Sequence, residues 1–299
     1  MNTDAPTPME RWHTLPWKPI QRHVFTLPTR MYRAACREDV TTVRTLQRVL
    51  MHSRSAKLLA VRKVPQANQG TKTPGVDGIT SFTPPQRLTV ARTFPLAGTA
   101  APVRRVWIPT PSPPELRPLG MPTLHDRAGQ AVVTSALDPA WEARCAPNSS
   151  GFRPGRSCHE AIEALCTALG HTAQDVLDAA SETCVDRIEH TALRTTVHTS
   201  PSLHRQRKAW LKAGVLDQGT IVPTDTGTMQ GGHLSPCLAC IAFHGLEALL
   251  GQRFPRRGSR RCHTPNVVVS ADDLVILQED RPVVERCQAV VTAWLREMG

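Results

Sequence analysis

The chain has 299 residues, enough for one large domain or two ordinary ones with a sizeable core. Lys plus Arg number 36 against 25 Asp plus Glu, a formal charge of +11 with a pI near 9.7, so polyanions are the expected partners, nucleic acid first and an anionic membrane surface second. Nine cysteines without a paired-spacing framework, an N-terminus (MNTDAPTPMERW) with no apolar h-region, and apolar runs far short of the roughly 18–20 residues that span a bilayer argue against a secreted disulfide scaffold and a membrane-spanning helix; the expectation is an intracellular, cytoplasmic protein with reduced thiols.

Residues 1–20 are Pro- and Thr-rich and read as a loose leader. From 21 to about 64 the pattern is helical: Val40, Val43, Leu46, Val49 and Leu50 recur at three- and four-residue steps, with Arg44, Arg48 and Arg54 between them. Residues 1–65 carry twelve Lys/Arg and four acids, eight of the chain's eleven surplus charges, and clustering of this kind marks a polyanion surface. NQGTKTPGVDGIT (68–80) is a loop by its Gly, Pro, Asn and Asp content. A helical piece near 84–93 leads into a strand, VRRVWIP (103–109), and then a Pro-rich turn, TPSPPEL (110–116). HDRAGQAVVTSALDPAWEAR (125–144) is helical, with a break expected at Asp138-Pro139. PNSSGFRPGRS (147–157) is a loop, HEAIEALCTALG (159–170) a helix with Gly170 as a left-handed stop, and VLDAASETCVDRIEH (176–190) a strand turning helical.

TIVPTDTGTMQGGHLSP (220–236) reads as a strand or two and a Gly loop, after which Ser235-Pro236 opens a helix. Cys237 and Cys240 form a C-x-x-C with His244 four residues on, but a zinc site needs four ligands and no second pair stands nearby at finger spacing, so they read as small apolar residues on a helix. VVVSADDLVIL (267–277) is a hairpin, and PVVERCQAVVTAWLREMG (282–299) a helix with one apolar stripe from Val283 to Met298. The order suggests an α+β fold with an antiparallel sheet.

Asp272 and Asp273 carry the chemistry. Successive strand side chains point to opposite faces, so only a turn lets two neighbouring carboxylates converge. Divalent cations relieve their repulsion. Mg²⁺ suits such a site, since it takes one or two carboxylates together with substrate phosphates, and two ions about 4 Å apart can clamp an in-line phosphoryl transfer. A plain solvent-exposed turn is the competing reading of the dipeptide alone.

Five blocks in order narrow this. SAKLLAVRKVPQANQGTKTPGVDGIT (55–80), VRRVWIPTPSPPELRPLGMPTLHDRAGQAVV (103–133), PNSSGFRPGRSCHEAI (147–162), GTMQGGHLSP (227–236) and SADD (270–273) together make the chain, from about Trp17 to Gly299, resemble the group II intron-encoded reverse transcriptase/maturase family. The resemblance implies a right-hand polymerase: a basic helical N-terminal extension (21–80), fingers (81–175) and a partial palm with an antiparallel sheet (176–299), the thumb being absent. It implies RNA-templated DNA synthesis on Mg²⁺, with RNA, a DNA primer and dNTPs as partners. Asp272 and Asp273 match the hairpin metal ligands. Arg117 matches the residue that holds the incoming triphosphate, Arg153 and Arg156 lie in the second fingers block, and Gln230, Gly231 and Gly232 match the loop beside primer and nucleotide. The residue types agree, since Arg offers phosphate a bidentate fork and Gly admits close backbone approach.

The departures from that family pattern are as informative. The catalytic Asp of the first palm strand falls at Ala180 and its following aromatic at Val185. Asp178 and Glu182 are the nearest stand-ins, each two residues away, roughly 6.6 Å along a strand and too far for a metal bond without a water or a backbone shift. Ser270 and Ser150 stand where Tyr is usual, Met229 where Pro is, and Thr110 where a triphosphate-contacting Lys is. The resemblance therefore leaves two functions open: a reverse transcriptase with impaired nucleotidyl transfer, and a non-catalytic, maturase-like module that binds intron RNA, with a decayed gene product as the third possibility.

Overall fold

A computed structural model describes residues 12–66, 73–93, 98–109, 116–170, 174–180, 187–197, 199–228, 230–255 and 264–298. In chain order the elements are α1 (Trp17–Ala35), α2 (Val40–His52), α3 (Arg54–Gln66), α4 (Pro84–Thr93), β1 (Val103–Pro109), β2 (Leu116–Met121), α5 (Leu124–Glu142), α6 (Cys158–Leu169) and β3 (Asp175–Ala180). There follow α7 (His190–Thr196), α8 (Pro201–Leu211), β4 (Val215–Asp217), β5 (Thr220–Val222), α9 (Ser235–Ala242), α10 (Leu246–Arg253), β6 (Asn266–Ser270), β7 (Asp273–Gln278) and α11 (Arg281–Met298). They form two compact units. One comprises residues 1–143, 198–225 and 229–235, the other 144–197, 226–228 and 236–299.

In the first unit α1, α2 and α3 pack on α5. Asp39 caps α2 by accepting from the Thr42 N–H at 2.9 Å. Val43, Leu46 and Leu50 of the expected stripe are buried, but Val40 (41 % exposed) and Val49 (46 %) face solvent. Met31 and Met51 fill the core beside them. The chain is helical from Trp17, and Trp12 is buried 98 %, so the stretch read as leader contributes an anchor from residue 12 onward. Helix α5 runs unbroken through Asp138-Pro139, contrary to the expected break. Pro139 removes only one backbone bond, in the final turn, while Leu137, Ala140 and Trp141 stay buried on either side. Buried Gln47 also fastens the helix, donating to the Ala136 carbonyl at 3.1 Å. A sheet of order β2-β1-β4-β5 completes the unit: β1 pairs antiparallel with β2 and parallel with β4. The β4–β5 hairpin brings residues 198–225 back to this unit.

The second unit is built on the sheet β3-β7-β6, antiparallel throughout. Val267, Val269, Leu274 and Ile276 alternate onto one face, where they meet Val283, Cys287 and Val291 of α11 and Leu246 and Leu250 of α10. Leu177, Ala179, Trp294 and Leu295 border that core. Helix α6 has a capping box, Ser157 with Glu160. Its end differs from expectation: Gly170 has φ −69°, an ordinary right-handed helical conformation, and its N–H still reaches the Cys166 carbonyl at 2.9 Å. Among the described residues no helix is long and apolar enough to cross a membrane.

Candidate functional site

The apolar runs of β6 and β7 flank a two-residue turn, Ala271-Asp272, with Ser270 opposite Asp273 in register. Ala271 takes φ +60°, the sense a tight hairpin needs at its first turn position. Asp272 is half-buried in the turn and Asp273 is exposed at the first position of β7. On the other side of β7, Ala180 is the register partner of Asp273. The position where the family pattern expects a carboxylate thus stands directly across from the second hairpin aspartate, and alanine offers no ligand oxygen there. Asp178, one of the two possible stand-ins, pairs with Val275 and is exposed, two steps further along the strand. Glu182, the other, lies outside the described residues, as do Val185, Thr110 and Met229.

The turn rests on a strap formed by residues 145–153. The Ser150 N–H donates to the Val269 carbonyl at 2.9 Å, and the Val269 N–H to the Asn148 carbonyl at 3.0 Å, so the strap sheathes the outer edge of β6. Buried Ser150 occupies the place where the family pattern has Tyr. Gly151 lies so close to the turn that a Cβ there would stand 1.6 Å from the Ala271 nitrogen. In the sequence Gly151 shows only as a glycine ahead of an aromatic in SSGFRPG, which does not reveal what it touches.

The two arginines of this block have different roles. Arg153 is 7 % exposed, and its guanidinium donates to the Ala146 carbonyl at 2.8 Å and to the Ser149 carbonyl. It holds the strap from inside, through the Ala146 and Ser149 carbonyls. Replacing Arg153 with alanine removes both bonds, although the Ala146 carbonyl still accepts from the Ser149 N–H at 3.2 Å, so the urea midpoint of the variant should report a loss of about 1–3 kcal/mol. Arg156 is more open. It donates to Glu160 at 2.6 Å and holds that carboxyl below its ordinary pKa.

The remaining expected residues converge in the first unit. Arg117, on β2, donates from Nε to Gln230 Oε1 at 2.9 Å across 113 positions of sequence. The Gly120 N–H donates to the Gln230 carbonyl at 2.7 Å. Gly231 has φ +106°, and a Cβ there would lie 2.7 Å from the Gly120 oxygen, so the Gln-Gly-Gly loop requires glycine at this position on two counts. Gly232 is buried beside it, and the His233 N–H donates to Gln130 Oε1 at 2.7 Å. Burial lowers the His233 pKa, with Lys63 adding to the shift, so its ring is neutral at pH 7. In the second unit, His190 Nε2 lies 2.7 Å from the Gly227 oxygen; a carbonyl can only accept, so Nε2 carries the proton and donates.

Cys237 is buried and Cys240 half-buried on α9, as small residues of a packed helix. Basic residues face outward along the N-terminal helices: Lys18, Arg22, Arg30, Arg33, Arg37, Arg44, Arg48 and Arg54 are all exposed.

Comparison with known proteins agrees with this arrangement. The N-terminal domain of reverse transcriptase matches residues 12–94, and reverse transcriptase (RNA-dependent DNA polymerase) matches residues 108–299. Protein YkfC of Escherichia coli is 34 % identical over 223 residues, covering 70 % of this chain and 58 % of its own length. The group II intron-encoded protein LtrA of Lactococcus lactis is 34 % identical over 166 residues, 54 % of this chain and 28 % of LtrA. Maturase-like protein 1 of Euglena gracilis is 25 % identical over 167 residues, 52 % of this chain and 34 % of that protein. The chain thus spans less than two thirds of each of these relatives. With both reverse-transcriptase domains matched in order, and with group II intron-encoded and maturase-like proteins among its relatives, the chain belongs to the reverse transcriptase (RNA-dependent DNA polymerase) family.

Proposed function

We propose that this chain is the nucleic-acid-holding part of a reverse transcriptase of the group II intron kind, with its two-ion nucleotidyl transfer impaired. The observation that carries the reading is the register pair Ala180–Asp273. Asp272 and Asp273 suit one hydrated Mg²⁺ completed by substrate phosphates. Mg²⁺ bound there would neutralise charge on a transferring phosphoryl group. A second ion needs a further carboxylate bridging from the neighbouring strand, and alanine supplies none. Among the described residues no three His, Cys, Asp or Glu side chains group as metal ligands.

On this reading residues 21–80 form the basic extension, 81–175 the fingers and 176–299 the palm. Arg117 and Gln230 present a donor-rich surface for phosphate, and Arg156 adds a second. The exposed cations of α1 and α2 hold RNA through its backbone, a mode that needs no metal site. Substrates would be a primed RNA template and dNTPs.

Primer extension tests the proposal. With a primed RNA template, dNTPs and Mg²⁺, the purified chain should extend little or nothing, and Asp272→Ala should not change that background. Robust extension abolished by Asp272→Ala would refute the impairment. Structured RNA should still bind, with affinity falling at least tenfold from 50 to 200 mM salt if three or more phosphates are contacted; salt-insensitive or undetectable binding would sink the RNA-holding half.

A further inference from the structure

We propose that Cys145 and Cys240 form a reversible disulfide that responds to the thiol–disulfide balance around the protein and pins the strap beneath the Asp272-Asp273 turn. Their sulfurs lie 3.6 Å apart although 95 positions separate them in sequence. Both side chains are half-buried, open enough for a small oxidant, whereas Cys237 on the same helix is 5 % exposed. Nucleotidyl transfer calls on neither thiol.

The location gives the bond a consequence. Cys145 leads directly into the strap: the next carbonyl, of Ala146, is held by Arg153; Asn148 and Ser150 bond Val269; and Gly151 abuts Ala271. Cys240 sits in the middle of α9, whose neighbours Leu238, Ala239 and Ile241 are all buried, so it is a fixed post. A disulfide ties a loop to that post at the point where the loop begins to support the metal-ligand turn.

The oxidant class is a low-molecular-weight disulfide such as glutathione disulfide. Contact with Cys145, followed by burial, raises the Cys240 pKa; either thiol can open the exchange with the same product, Cys145 for example. Its thiolate attacks one sulfur of glutathione disulfide, that S–S bond breaks, and one glutathione leaves as thiolate and takes up a proton. Cys240 then gives up its proton and attacks the Cys145 sulfur of the mixed disulfide, forming the Cys145–Cys240 bond and releasing the second glutathione. Two protein thiols are oxidised and one glutathione disulfide is reduced to two thiols.

The test equilibrates the purified chain in glutathione buffers of graded ratio, quenches with acid, alkylates, and maps linked peptides by mass. The expected result is a single linked pair, Cys145–Cys240, about 2 Da lighter than the two reduced peptides, that returns to thiols in excess glutathione. Oxidation should also raise the melting midpoint by about 5 °C, because a cross-link over so long a loop restricts the unfolded chain. Cys145→Ser and Cys240→Ser should each remove the linked peptide and the shift, and Cys36→Ser should keep both. Glutathione mixed disulfides without the internal bond, or linkage of another pair such as Cys158–Cys166, would overturn the proposal. The wild-type mapping decides the matter even if a serine variant fails to fold.

Discussion

Replacing Gly151 with alanine is expected to destabilise the second unit by about 4 kcal/mol, in the range reserved for severe single substitutions. The added Cβ would sit 1.6 Å from the Ala271 nitrogen, 2.4 Å from the Ala271 Cα and 2.7 Å from the Ser270 carbonyl carbon. All three are backbone atoms, so no side chain can rotate away. Strap and turn must separate by roughly 2 Å to reach ordinary contact, and overpacking of that kind alone costs about 1–3 kcal/mol. The separation also breaks the Ser150–Val269 and Val269–Asn148 hydrogen bonds, leaving buried backbone groups unpaired at about 1–3 kcal/mol each. Gly155→Ala is the internal control. It has φ +76° and open space around its missing Cβ, so its cost is conformational only, about 1–2 kcal/mol. Urea melts of both variants, with hydrogen exchange at Ser150 and Val269, separate the two mechanisms. Gly151→Ala should lose protection at those amides and Gly155→Ala should retain it. Equal stability of the two variants would mean that the strap does not support the turn.

The sequence made some of this legible and hid the rest for identifiable reasons. The hairpin, α11 and the antiparallel sheet follow from the two apolar runs that flank the turn in 267–277 and the stripe Val283–Val291. That Ala180 stands where the family pattern has its first-palm-strand Asp was readable because five ordered blocks fixed the frame, but its pairing with Asp273 is visible only in the strand register. The grip of Arg153 on the strap was not readable, because an arginine between Phe152 and Pro154 has the same letter whether or not its fork meets the Ala146 carbonyl. The β4 strand was missed because three residues, Val215–Asp217, carry no period. Pro139 was expected to break a helix because propensity is local, whereas the packing of α5 on α1, α2 and α3 is tertiary. Val40 and Val49 were assigned to a core stripe, but a three-and-four spacing draws a band wider than the one the fold buries. The contact between Cys145 and Cys240, and that between Arg117 and Gln230, join positions about a hundred residues apart, which spacing alone cannot show.

Ala180→Asp should convert a cation-insensitive protein into one whose stability depends on divalent metal. Directly opposed strand residues have Cβ atoms about 4.5–5.5 Å apart, and like charges there are destabilising. Without divalent ions the variant should therefore be less stable than the wild type by about 0.5–1 kcal/mol, since the new carboxylate faces Asp273 and neighbours Asp272. A bound cation reverses the sign. If the site binds Mg²⁺ with a Kd of about 1 mM, 10 mM Mg²⁺ adds roughly 1.4 kcal/mol, and any tighter binding adds more. The wild type, with alanine at 180, should show almost no difference between chelator and Mg²⁺ at matched ionic strength. Asp272→Ala in the Ala180→Asp background should erase the metal response, which distinguishes a shared site from a general salt effect. Melting curves in chelator, Mg²⁺ and matched NaCl read the wild type and both variants. Primer extension by Ala180→Asp should rise only slightly, because Ser150, Ser270, Met229 and Thr110 also depart from the family pattern. A Mg²⁺ response in the wild type as large as in the variant would show that Asp178 or Glu182 already supplies the third carboxylate, and the impairment of this site would then have to be traced elsewhere.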